Sequence, residues 1–168
     1  MKPKLVKAYM DTAKVFAELS HARRLHVGAI VVKDDRIVSI GYNGMPAGWE
    51  NNCEDSVYPD ENLGDFELHY DEFDAAFAYK DEQGRAYNLK TKPEVLHAES
   101  NAIAKLAKSS ESGLGADIFI THAPCMECAK LIYQSGIKRV YFGMAYRDDA
   151  GVRFLEQSGV RVVQCKKD

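Results

Sequence analysis

Apolar residues recur at spacings of three and four through residues 4–20, where Leu5, Tyr9, Ala13, Phe16 and Leu19 form the stripe of an amphipathic helix. The pattern then changes to an unbroken β-rich run, Val27-Gly28-Ala29-Ile30-Val31-Val32. Asp34-Asp35 is a turn, and Arg36-Ile37-Val38-Ser39-Ile40-Gly41-Tyr42 returns as a second strand, so the pair predicts a hairpin. Three of the next six residues, Asn43-Gly44-Met45-Pro46-Ala47-Gly48, are Gly or Pro and predict a loop. Residues 50–92 are polar and weakly periodic, and they read as an insertion with one short helix around 71–79. Loops this long inside a domain are uncommon and often functional.

Helical spacing returns over 97–108, at Ala98, Ala102, Ile103, Leu106 and Ala107. Ile118-Phe119-Ile120 predicts a short buried strand, and residues 125–134 a helix ended by Gly136. A strand over 137–142, a helix over 151–158 and a last strand over 160–163 complete the chain. Five strands with helices interleaved after the hairpin predict an α/β fold with three α-β-α layers and a five-stranded mixed sheet. No internal repeat is visible, and the 168 residues are expected to form a single domain over 1–168, near the usual domain size of roughly 100–150 residues.

Composition narrows the function classes. Hydrophobic content of 46% and charged content of 28% are ordinary for a soluble protein. No apolar run approaches the roughly 20 residues that span a bilayer. Met1-Lys2-Pro3-Lys4-Leu5 lacks a signal peptide's apolar stretch, so a cytoplasmic chain with no membrane partner is expected. The net charge of −3 is unevenly spread: residues 50–92 hold 12 acidic and 4 basic side chains, and the rest of the chain is mildly basic. Such a body suits a small phosphorylated ligand, whereas a nucleic-acid surface would show a strong basic stripe.

The candidate chemistry lies in two short segments. His97-Ala98-Glu99 is followed by Pro124-Cys125-Met126-Glu127-Cys128, with Cys125 26 residues after Glu99. One imidazole and two thiolates are three zinc ligands, one fewer than closes a structural site, which leaves a position for water. Cys-x-x-Cys alone serves structural zinc and redox sites equally well, and His-Ala-Glu alone carries almost no signal. Together, with Pro before the first Cys, they form the signature of zinc nucleobase deaminases. Cys125 and Cys128, three apart at a helix start, share a face where the helix dipole favours thiolates. His97 and Glu99, two apart, would point about 200° from each other in mid-helix. They can serve one metal if the segment is only entering its helix there, and Glu99 is then the base that takes and delivers the water's proton.

The resemblance extends beyond the zinc motifs. With Gly41-Tyr42-Asn43-Gly44-Met45-Pro46 and Gln134-Ser135-Gly136-Ile137-Lys138-Arg139-Val140, the chain resembles the deoxycytidylate deaminase branch of the cytidine deaminase superfamily over nearly its whole length. The resemblance implies a cytidine-deaminase-like fold and a zinc cofactor held by His97, Cys125 and Cys128. It implies hydrolysis of dCMP to dUMP and ammonia, supplying dUMP for dTMP synthesis, with Glu99 carrying the proton from water to N3 and then to the leaving amine. The backbone at Ala98, Ala123 and Pro124 would hold the base edge; Ala123 stands where the family often has Ser, a change that a backbone role tolerates.

Asn43 matches a nucleotide-contacting position of the family, and Tyr146 a tyrosine near the substrate. Arg23 and Arg24, just before the first strand, are phosphate candidates together with Asn43 and Tyr146, the arginines because a guanidinium fork suits phosphate. Lys108 stands where some members carry a nucleotide-contacting Arg. Members are commonly hexamers activated by dCTP and inhibited by dTTP, with magnesium accompanying the triphosphate and Gly41, Tyr42, Asn43 and Gly44 taking part. A tight turn would also call for these glycines.

Some relatives carry a second, structural zinc, for which Cys53, His21, His69 and Glu94 are the available ligands here, although their spacing closes no motif. Cys165 reads as a free thiol on the last strand or tail, and His26 and His122 as structural or surface residues. The competing functions are deamination of free cytidine or deoxycytidine, of tRNA adenosine or of a riboflavin precursor, and a non-catalytic zinc module that only binds nucleotides.

Overall fold

Val31 and Val32 lie on opposite faces of one strand and both are buried, which places that strand inside a sheet covered on two sides. The computed structural model describes residues 1–59, 77–146 and 148–165. The chain begins with helix α1 (Pro3–Ala17), whose proline sits in the first turn where no N–H partner is missed, followed by strands β1 (Gly28–Lys33) and β2 (Arg36–Tyr42). Strands β3 (Glu54–Val57), β4 (Tyr79–Lys80) and β5 (Ala86–Thr91) come next, then helix α2 (Ala98–Leu106). Strand β6 (Asp117–His122), helix α3 (Met126–Gln134), strand β7 (Arg139–Met144), helix α4 (Ala150–Gln157) and strand β8 (Arg161–Gln164) complete the order.

The main sheet has the order β2-β1-β6-β7-β8, with β1 antiparallel to β2 and β6, and with β6, β7 and β8 parallel. Asp34 and Asp35, at φ of 50° and 57°, close the β1–β2 hairpin through the left-handed backbone that suits a two-residue turn. Alternate side chains then sort into two cores. Ile30, Val32, Phe119 and Tyr141 pack with Met10 and Ala13 of α1. Ala29, Val31, Ile118, Ile120 and Val140 pack with Ala98 and Ala102 of α2, Ala129 and Ile132 of α3, and Leu155 of α4. The expected three layers and mixed five-stranded sheet are therefore present.

Element ends differ from the sequence reading by a few residues. Helix α1 stops at Ala17 instead of continuing to 20, and Leu19 lies half exposed beyond it. The larger correction concerns residues 50–92. Glu54–Val57 and Tyr79–Lys80 both pair antiparallel with Ala86–Thr91 in a second, three-stranded sheet that the sequence reading did not anticipate. The short helix expected around 71–79 falls mainly on 71–76, outside the described residues, and Tyr79 is in a strand. The acidic bias hid this sheet: Glu54-Asp55-Ser56 carries little β-propensity, although Tyr87, Leu89 and Thr91 do alternate.

Helix α2 is bound tightly to β2. A Cβ at Gly41 would fall on the Ala98 carbonyl oxygen, so only glycine allows the helix to start this close. Asn101 Nδ2 donates to the Tyr42 carbonyl at 2.8 Å, Ser39 Oγ to the Ala102 carbonyl at 2.6 Å and Lys105 Nζ to the Ile40 carbonyl at 2.9 Å. These contacts hold the N-terminal end of α2 at the end of the sheet where the chemistry lies. Among the described residues no helix is long and apolar enough to cross a membrane.

Candidate active site

The carboxyl ends of parallel strands are where open α/β sheets bind ligands. At the end of β6 the chain runs through His122, Ala123 and a fully buried Pro124 into α3. Cys125 is the N-cap of α3, extended at φ −70° and ψ 169°, and Cys128 lies in its first turn. His97 is the N-cap of α2, also extended at φ −77° and ψ 153°, and Glu99 lies in the first turn of α2. The non-helical cap residue reverses the side-chain direction that a regular helix would give. His97 and Glu99 can therefore line one cavity although they are two residues apart.

His97 Nδ1 lies 3.5 Å from Cys125 Sγ and 3.4 Å from Cys128 Sγ. Zinc bond lengths of about 2.0–2.1 Å to nitrogen and 2.3 Å to sulfur place two tetrahedral ligands about 3.6 Å apart. The three donor atoms, all within 4.8 Å of one another, have that spacing, and they form the metal-ligand cluster found among the described residues. The residues fit a zinc ion. They are the cluster that the sequence singled out.

Charge within the cluster follows from its contacts. Hydrogen bonding with Cys128 and His97 brings the Cys125 thiol down to about 3. Cys128 is pushed up in turn, chiefly by that same bond and by burial. The two sulfurs titrate as a coupled pair, and a divalent cation binds them as thiolates. Contact with Cys125 raises His97. Burial pushes the Glu99 carboxyl up to about 7, against a smaller opposing pull from its own backbone N–H and from His97. Such a carboxyl takes and returns a proton near neutral pH.

His97, Glu99 and Cys125 line a cavity of about 540 Å³. Of the substrate-contact candidates named from the sequence, Asn43, Ala98, Ala123, Tyr146 and Arg24 line it, and Arg23 and Pro124 do not. Ala98 belongs to the first turn of α2, where N–H groups have no acceptor within the helix. Ala123 donates its N–H to the Met144 carbonyl at 2.8 Å, which leaves its carbonyl as the group able to face a ligand. Asn43 is buried, takes the Val27 N–H on Oδ1 and donates from Nδ2 to the Leu25 carbonyl, both at 2.8 Å. Its side chain thus holds the 25–27 segment as well as lining the cavity.

Arg23 and Arg24 separate. Arg24 lines the cavity, whereas Arg23 turns to Glu54: its Nη2 donates to the Glu54 carbonyl at 3.0 Å and its Nε lies 3.6 Å from the carboxylate. Cys53 is buried and packs with Ala22, Val95 and Met45, and His69 lies outside the described residues. The structure also brings in residues that the sequence reading passed over. Tyr79, Asn88 and Thr91 of the second sheet line the cavity, and so does His122, which is buried, the structural one of the two alternatives left open for it. His122 Nδ1 lies 3.0 Å from Thr121 Oγ1, and its Nε2 is, among the described residues, a buried nitrogen without a hydrogen-bond partner. Its position two residues before Pro124, on the buried face of β6, was the available signal.

The cytidine and deoxycytidylate deaminase zinc-binding region matches residues 3–144. ComE operon protein 2 of Bacillus subtilis is 33% identical over 161 residues, covering 95% of this chain and 70% of that protein. The deoxycytidylate deaminase of Enterobacteria phage T4 is 35% identical over 130 residues, covering 71% of this chain and 67% of that one. The crystal structure of dCMP deaminase from cyanophage S-TIM5 in complex with dCMP and dUMP superposes with a TM-score of 0.75. Its sequence is 40% identical, and the match covers 98% of this chain and 99% of that one.

Proposed function

The chain belongs to the cytidine and deoxycytidylate deaminase family, and on that premise we propose that it hydrolyses dCMP to dUMP and ammonia. The observation that carries the reading is the buried Glu99 beside the His97, Cys125 and Cys128 donor cluster, in a cavity lined by Glu99, His97, Cys125 and Arg24. The solved structure of a 40% identical dCMP deaminase with both substrate and product supports the same substrate.

Zinc, when bound by His97, Cys125 and Cys128, supplies Lewis-acid activation of water, lowering its pKa toward roughly 7. Glu99 accepts the proton of that water and passes it to N3 of the ring. As oxygen bonds to C4, N3 keeps that proton; Glu99 then takes the proton of the new C4 hydroxyl and delivers it to the amine, which leaves as ammonia as the C4 carbonyl forms. The Ala98 N–H and the Ala123 carbonyl orient the base edge. We assign Arg24 and Tyr146, both in the cavity lining, to the phosphate end, where a guanidinium would bind phosphate through paired N–H groups.

The proposal extends to the whole chain as one deaminase domain over 1–168, acting as a cytoplasmic hexamer that supplies dUMP for dTMP synthesis. It also includes activation by dCTP and inhibition by dTTP, with magnesium on the triphosphate. Tight packing on α2 accounts for Gly41, but a Cβ at Gly44 would meet nothing within 4 Å. That open space supports a ligand role for the segment at Gly44.

Ammonia release measured on dCMP, deoxycytidine and CMP tests the substrate assignment. The expected result is the highest kcat/KM for dCMP; a preference for deoxycytidine overturns it. A sigmoidal dCMP curve straightened by dCTP and depressed by dTTP is expected, and a hyperbolic curve indifferent to both removes the regulatory part.

A further inference from the structure

Residue Glu54 is almost fully buried at 1% exposure, yet it lies in the most acidic stretch of the chain, far in sequence from the zinc cluster. Its partners explain the burial. The Arg23 backbone N–H donates to both carboxylate oxygens at 3.1 Å, and the Arg24 N–H donates to Oε1 at 3.2 Å. Arg23 adds its own Nη2 bond to the Glu54 carbonyl. A buried carboxylate with several N–H donors is satisfied in place, and such charge-assisted bonds are stronger than neutral ones. Two consecutive backbone amides of the segment that joins α1 to β1 are thereby fixed to β3.

The register of the second sheet extends this contact. Thr91 on β5 lies directly opposite Glu54 on β3, so the two residues are a cross-strand pair. Arg24 Nη1 donates to Thr91 Oγ1 at 3.1 Å. One pair of facing residues therefore holds both ends of Arg24: Glu54 its backbone, Thr91 its guanidinium. Arg24 is otherwise a solvent-exposed side chain, which would lose considerable freedom on binding an anion. Both anchors line the same cavity as Arg24 and Glu99.

We infer that Glu54 and Thr91 are positioning residues that preset Arg24 as the phosphate anchor, and that the acidic insertion thereby sets the preference for a nucleoside monophosphate over the free nucleoside. Arg23 takes no phosphate; its guanidinium completes the Glu54 clamp. The inference rests on the deaminase reading above and specifies which part of the chain selects the phosphate. Preorganisation of this kind acts on binding, because the phosphate is remote from the reacting C4. Its loss belongs in KM and leaves the rate at saturation little changed.

The test compares wild type, Glu54→Gln and Thr91→Val by steady-state ammonia release on dCMP and on deoxycytidine, with zinc content and thermal unfolding measured on each. Glu54→Gln is expected to raise the KM for dCMP about tenfold to a hundredfold, the scale of a charge-assisted contact, with kcat near wild type. Thr91→Val is expected to raise it several-fold. Neither change should reach deoxycytidine, so the ratio of the two kcat/KM values falls in both variants. A loss shared equally by dCMP and deoxycytidine, or an unchanged ratio, overturns the inference. If Glu54→Gln does not fold, Thr91→Val decides by the same ratio. A wild-type enzyme that prefers deoxycytidine refutes the substrate assignment itself. A wild-type preference for dCMP that survives both variants refutes only the positioning roles.

Discussion

His97 and Cys125 occupy the same position in two different helices: each is an N-cap in extended conformation, and their Nδ1 and Sγ atoms stand 3.5 Å apart. Two helix N-termini thus converge on one point. Their dipoles would repel if nothing lay between them, and they stabilise thiolates and a nearby carboxylate instead. Cys128 and Glu99 enter the same space from the first turns of those helices.

If Glu99 carries the proton, Glu99→Gln keeps zinc and the fold while kcat on dCMP falls about 10²–10⁴-fold, the scale of a lost general acid/base. Metal analysis beside steady-state rates checks this. Activity within a few-fold of wild type would remove Glu99 from the reaction.

Metal removal should act on stability as well as on rate, because the two helix ends share one ligand set. With free zinc at about 100 times its dissociation constant, binding to the folded state adds roughly 2.7 kcal/mol. That corresponds to a rise of about 5–10 °C in Tm for a chain of this size. Chelation should lower Tm by that amount and abolish turnover, and added zinc should restore both. A Tm indifferent to chelator would show that the cluster holds no metal.

Gly41→Ala places a methyl group on the Ala98 carbonyl and must displace the start of α2. The expected cost is about 1–3 kcal/mol, as for overpacking of a tight core, together with weaker zinc retention because His97 moves with the helix. Gly44→Ala meets open space, so its Tm and zinc content should match wild type while the dCTP response changes. Thermal melts and metal analysis on the two variants separate a packing glycine from a ligand-facing one.

Asp117 and Arg139, neighbours across β6 and β7, form a bidentate pair of 2.5 and 2.7 Å with Asp117 nearly buried. Replacing Asp117 with Ala strands the guanidinium and should destabilise by about 3 kcal/mol, read as a lower denaturation midpoint. Zinc content should be unaffected, since the pair sits at the end of the strands opposite the site. A stability change below about 0.5 kcal/mol would class the pair with surface ion pairs.

Local pattern by itself determined a good deal of this protein. The helical spacings specify the helices, because each reflects burial of one face, and the short apolar runs specify the strands of a sheet buried on both faces. The ligand set was legible because Pro-Cys-x-x-Cys and His-Ala-Glu both place their donors at helix starts, where side-chain direction follows from a few neighbouring residues.

Tertiary structure alone decided which arginine serves the cavity and what the acidic stretch does. Arg23 and Arg24 are the same residue type side by side, and no local signal separates them. The difference comes from Glu54, thirty residues away, and from Thr91 across the β3–β5 register. A polar strand pair whose partners lie far apart in sequence leaves no hydrophobic period to read, since its stabilisation comes from hydrogen bonds between segments that meet only after folding. His122 follows the same rule. Its residue type permitted a surface position, and only the packing of β6 under α2 and α3 made it part of the cavity wall.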